Sequence, residues 1–103
     1  MSDSSLEATD KASAAVQKTV NRVTLDTLLS KIKHVDYINP DRHPHLTICM
    51  ITTENGFVAI GESAPADPLN YDAALGRKFA YEQAVRKLWP LEAYALLERM
   101  KPS

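Results

Sequence analysis

The feature that most constrains this chain is a run of strand-forming residues interrupted by one turn signal. Leu46 to Thr53 is dense in β-branched side chains, Asn55-Gly56 is the preferred pair for a two-residue type I′ turn, and Phe57-Val58-Ala59-Ile60 resumes the strand chemistry. This predicts a hairpin. With Asn55 and Gly56 as its loop, Thr53 faces Val58, Ile51 faces Ile60 and Cys49 faces Glu62. Ile48, Met50, Phe57 and Ala59 then occupy the other face. Both faces are partly apolar, so one packs on helices and the other on a third strand's neighbours, a loop or another subunit.

Helical signals flank the hairpin. Thr24 is a good N-cap, followed by Leu25, Leu28, Leu29 and Ile32 in an amphipathic stripe, which predicts a short helix over residues 25–33 with Lys31 and Lys33 in its last turn. His34 to Ile38 is a short strand or an extended connection before Asn39-Pro40, and Asp41 to His45 is a polar loop. Residues 61–71 carry Pro65 and Pro68 and lack periodicity, as a loop does. Asn70 or Asp72 then caps a long helix over residues 72–88, in which Gly76, Ala80, Ala84 and Leu88 form a column narrow enough for close backbone approach. Trp89-Pro90 is expected to interrupt it, with Leu91, Tyr94, Ala95 and Leu97 on a shorter C-terminal helix ending near Met100. The fold class is α+β, with 103 residues enough for one domain, 21–103. Residues 1–20 offer only Leu6, Val16 and Val20 as sizeable apolar groups and are read as a flexible tail, with a loose helix around Ala12 to Lys18 as the alternative. Removing such a tail should move the melting temperature little.

Twelve Lys and Arg against thirteen Asp and Glu give a net charge of −1, which lacks the electrostatic footprint of a nucleic-acid binder. The single cysteine excludes an internal disulfide and a cysteine-cluster zinc site. No apolar run is long enough to span a membrane and the N-terminus lacks signal-peptide character, so a cytoplasmic protein is expected.

The clearest candidate site is the opening of the long helix. Arg77 and Lys78, with Ser63 and Asn70 from the preceding loop, are suited to an anionic small molecule or nucleotide, since helix N-termini present free N–H groups and a positive dipole end. Arg77 and Lys78 point about 100° apart on a helix, so one of them faces such a site at most. This is not a Walker loop, whose glycines and Lys-Ser/Thr pair are absent. Asp41, His43, His45 and the more distant His34 resemble a metal set only in composition and are read as surface residues. Cys49 beside Glu62 is rejected as a dyad because a carboxylate raises a thiol's pKa. Ser63 lacks the Gly-x-Ser-x-Gly turn. Phe79, Tyr81, Trp89 and Tyr94 are read as core rather than as a platform for a base. No catalytic constellation, metal or cofactor is therefore assigned.

Asn55-Gly56-Phe57, Gly61-Glu62-Ser63-Ala64, Asp67-Pro68, Asn70-Tyr71-Asp72, Gly76-Arg77-Lys78, Ala80, Ala84 and Leu88-Trp89-Pro90-Leu91-Glu92 together resemble a family of small tailed-phage proteins, the gp forty-nine / gene sixty-six phage family. The likeness covers residues 23–98 and departs at Tyr71, where the pattern has Phe, and at Ala93, where it has Gly. It implies a phage or prophage origin and action inside the bacterial host, and no particular reaction. Two functions are expected to compete: an accessory, anti-defence protein that sequesters an anionic small molecule or nucleotide signal, and an inhibitor or adaptor acting on a host protein. A two-faced hairpin in so small a domain also predicts a homo-oligomer, built on the hairpin or the last helix.

Overall fold

Three strands, β1 (Ile32–Ile38), β2 (Thr47–Thr53) and β3 (Val58–Ser63), form an antiparallel sheet in the order β1-β2-β3. They are seen in a computed structural model that describes residues 5–102. The β2–β3 connection is not the expected two-residue turn. Glu54, Asn55 and Gly56 form a three-residue loop, with Gly56 in the left-handed region at φ 90°. The Gly56 N–H donates to the Thr53 carbonyl and the Thr53 N–H to the Phe57 carbonyl, both at 2.9 Å. Asn55 Oδ1 accepts from Thr53 Oγ1 at 2.7 Å and from the Phe57 N–H at 3.2 Å, which holds the wider loop closed.

That extra residue shifts the pairing by one. Val58 faces Thr52, Ala59 faces Ile51, Ile60 faces Met50 and Gly61 faces Cys49, replacing the expected pairs of Thr53 with Val58, Ile51 with Ile60 and Cys49 with Glu62. A one-residue slip exchanges the two faces of a strand. Ala59 and Gly61 therefore turn inward, and Val58, Ile60 and Glu62 turn outward. Packing explains the choice, because only small side chains fit beneath the helix that crosses β3.

That helix, α3 (Ala73–Met100), starts at Asp72, whose Oδ1 accepts from the Leu75 N–H at 2.9 Å. As expected, Ala80, Ala84 and Leu88 are buried along one side. Gln83 Oε1 accepts from the Glu62 N–H at 2.7 Å and the Lys87 ammonium donates to the Ile60 carbonyl, so α3 satisfies two backbone groups on the outer edge of β3. The break expected at Trp89-Pro90 does not occur. An interior proline costs a helix about 3 kcal/mol. Its neighbours offset that cost: Leu88 is buried, and Trp89 Nε1 donates to the Val23 carbonyl at 2.9 Å. Pro90 itself is exposed, where water can serve the backbone.

The N-terminal segment also departs from expectation. Where a flexible tail was anticipated, Leu6–Ala15 forms α1, capped by Ser5 Oγ accepting from the Ala8 N–H at 3.1 Å. Leu6 is 2% exposed and joins the core with Leu25, Leu28, Cys49, Ile51 and Val85. Asp10 accepts from the Leu25 N–H at 2.9 Å and pairs with Arg22 at 2.8 Å, which fastens α1 to the start of α2 (Leu25–Ser30). Arg86 of α3 adds a bond to Thr9 Oγ1 at 3.2 Å. Thr24 caps α2 as expected, but α2 ends at Ser30, so Lys33 falls in β1. Methionine 1 to serine 4 lie outside the described residues, while Val16 and Val20 remain exposed. The shortest dimension of the fold is 17 Å, room for one sheet and one helical layer and no third.

The Leu25 N–H chiefly holds the Asp10 carboxyl below its ordinary 3.8; partial burial opposes this and Arg22 reinforces it. A depressed value means the anchor's contribution is present above pH 3.8 and is lost as the pH falls below it. Amide exchange at Leu25 should therefore accelerate in that acid range more than exchange in β2, and Asp10→Asn should remove the difference. Equal acceleration at both places would show that Asp10 does not anchor α1.

Candidate functional site

At the opening of α3, a cavity of about 200 Å³ is lined by Ser63, Asn70, Asp72, Leu75 and Phe79 among others. Ser63 ends β3, and Asn70 ends a short 3-10 turn, Pro68–Asn70, whose Asp67 side chain accepts from the Leu69 N–H at 3.0 Å. Two of the four anticipated anion ligands are thus brought together. Arg77 and Lys78 are exposed and do not line the cavity. Lys78 Nζ pairs with Glu82 at 3.2 Å and lies 5.4 Å from the Phe79 ring centroid. Arg77 is on the other flank of the helix, where its charge acts on Tyr37 of β1. The carboxylate that lines the cavity is Asp72, whose sign is that of a phosphate.

Cys49 is fully buried; burial raises its thiol, while a hydrogen bond with Tyr37 pulls the other way. Glu62 does not face it, because the shifted register pairs Glu62 with Ile48 on the opposite side of the sheet. Asn39 Nδ2 donates to the Leu46 carbonyl at 2.7 Å and to Thr47 Oγ1 at 3.1 Å, closing the 40–46 loop. In that loop the His43 and His45 rings meet edge to face at 6.1 Å. Among the described residues, no group of three or more His, Cys, Asp or Glu side chains is placed to hold a metal. The aromatics part company: Tyr81 and Trp89 pack against the core, whereas Phe79 and Tyr94 are exposed.

The sheet face away from the helices is uncovered. Alternation along β2 buries Thr47, Cys49, Ile51 and Thr53 beneath the helices and leaves Ile48, Met50 and Thr52 on the other side. The registers add Ile38 from β1 and Val58 and Ile60 from β3, each 45–47% exposed. Asp36 and Glu62 lie on the same face. The hairpin sequence already showed apolar residues on both faces. Which β3 side chains lie outward depended on the loop length, which Asn-Gly alone does not decide.

A second cavity, about 370 Å³, lies between the hairpin loop and the later turns of α3. Leu88, Leu91, Ala95 and Phe57 form its apolar wall, with Lys31, Glu54 and Glu92 at polar positions.

A three-stranded antiparallel sheet covered by helices on one side defines a two-layer α+β domain. Residues 23–100 match the model of the phage protein family described as N4 Gp49/phage Sf6 gene 66, and the chain belongs to that family. The match takes in the whole sheet and α3 and leaves α1 outside. No curated protein and no solved structure matches the chain. Among the described residues, no helix is long and apolar enough to cross a membrane.

Proposed function

We propose that this phage protein is a non-catalytic adaptor or inhibitor that docks on a host protein in the bacterial cytoplasm through its open sheet face. The observation that carries this reading is the set Ile38, Ile48, Met50, Val58 and Ile60, only partly covered on a sheet whose other face is packed under the helices along β2 and β3. Such a surface loses its contact with water only against another chain. The charges on it select the partner. Asp36 and Glu62 are its acidic groups, so a complementary surface is an apolar patch bordered by Lys or Arg.

The small-molecule reading rests on the cavity that joins Ser63 and Asn70. Its volume, about 200 Å³, falls below the roughly 300 Å³ at which ligand pockets usually begin. The test compares a tagged wild type with Ile60→Lys and Asp36→Lys after each variant is shown to be folded. A host protein held by the wild type should be lost with Ile60→Lys and weakened by Asp36→Lys, while inorganic phosphate and mononucleotides leave the melting temperature unchanged. Retention of that protein by Ile60→Lys would overturn the reading. A nucleotide that raises the melting temperature, with the rise abolished by Arg77→Ala, would replace it with the anionic-ligand function.

A further inference from the structure

The later turns of α3 outrun the sheet. At 1.5 Å per residue the 28-residue helix is about 42 Å long, whereas a seven-residue strand covers about 23 Å. The inward side of α3 carries Ala80, Ala84 and Leu88 over β2 and β3, and all three are buried. One turn later the same side reaches Leu91, Glu92 and Ala95 beside the hairpin loop, and the 370 Å³ cavity opens there. Arg99 follows Glu92 by two turns, on the same side of the helix. Among the described residues neither Glu92 nor Arg99 has an ion-pair partner.

We infer that this uncovered stretch of α3 is covered by the same stretch of a second copy, antiparallel, with the two-fold axis beside Ala95. Glu92 and Arg99 carry the argument, because a two-fold contact must be complementary to itself. An antiparallel axis between positions 95 and 96 sets Glu92 against the partner's Arg99 and repeats the pair on the other side. A parallel arrangement in register would set each residue against its like, and the charges would repel. Ala95 at the crossing permits close backbone approach, while Leu91 and Phe57, 46% and 47% exposed, supply apolar surface around it. The contact is short, so association in the micromolar range is expected. It leaves the open sheet face free and does not depend on the docking function proposed for that face.

Sedimentation of the full chain with charge-reversed variants tests the pairing, after circular dichroism has confirmed that each is folded. The wild type should dimerise at micromolar concentration. Glu92→Arg and Arg99→Glu should each weaken the dimer more than about tenfold, since each opposes like charges twice. The double variant should recover it, and an equimolar mixture of the two single variants should form a heterodimer although neither self-associates. A wild type that stays monomeric overturns the inference. So do single reversals that dimerise like the wild type, or a double variant that fails to recover.

Discussion

Gly61→Ala should leave little folded protein at 37 °C. A Cβ built on Gly61 falls 2.0 Å from the Ala80 carbonyl oxygen and 2.5 Å from the Ala84 nitrogen, both backbone atoms of α3. A clashing side chain can change rotamer, but a helix backbone can only move as a body. Moving α3 off β3 would also pull Gln83 and Lys87 from the bonds that satisfy the Glu62 N–H and the Ile60 carbonyl. Overpacking a core by a few atoms costs about 1–3 kcal/mol even when side chains absorb it, and this site belongs at or above the upper end. Denaturant melts of Gly61→Ala beside Ala59→Gly measure it. A Gly61→Ala protein within 1 kcal/mol of the wild type would mean that α3 does not lie so close to β3.

Removing residues 1–20 should destabilise the fold substantially, the reverse of what the sequence suggests. The deletion strips Leu6 from the core and Asp10 from the Leu25 N–H and Arg22. Loss of a buried leucine alone costs about 2–5 kcal/mol. In a domain of this size each kcal/mol corresponds to roughly 4–8 °C, so the melting temperature should fall by about 10 °C or more. Leu6→Ala in the full chain should reproduce most of that fall. If the truncated protein melts within a few degrees of the wild type, α1 contributes nothing to the core.

These two expectations mark what local sequence could reveal. Thr24 as a cap, the two hairpin strands and the small-residue column of α3 were legible because each is written in adjacent or periodically spaced residues. The β2–β3 register was not. Asn55-Gly56 suits both a two-residue and a three-residue loop, and the choice is made by α3, which tolerates Ala59 and Gly61 beneath it and would not tolerate Ile60 and Glu62. Pro90 misled for a related reason: its local cost is real, but Leu88 and Trp89 anchor the helix just before it. Leu6 stands alone among polar residues, and one buried side chain gives no periodic signal. At the anticipated anion site, Arg77 and Lys78 were correctly read as diverging, but Asp72 as the cap and Phe79 as a wall became visible only once the loop was placed.

The two bonds from Gln83 and Lys87 to β3 also bear on stoichiometry. An incoming strand can extend a sheet only where backbone groups are vacant, and on β3 the helix already engages both the Glu62 N–H and the Ile60 carbonyl. Strand addition is thereby steered to β1. Two copies joined there would bury the β1 edge in each and leave outward a β3 edge that α3 already engages at Glu62 and Ile60.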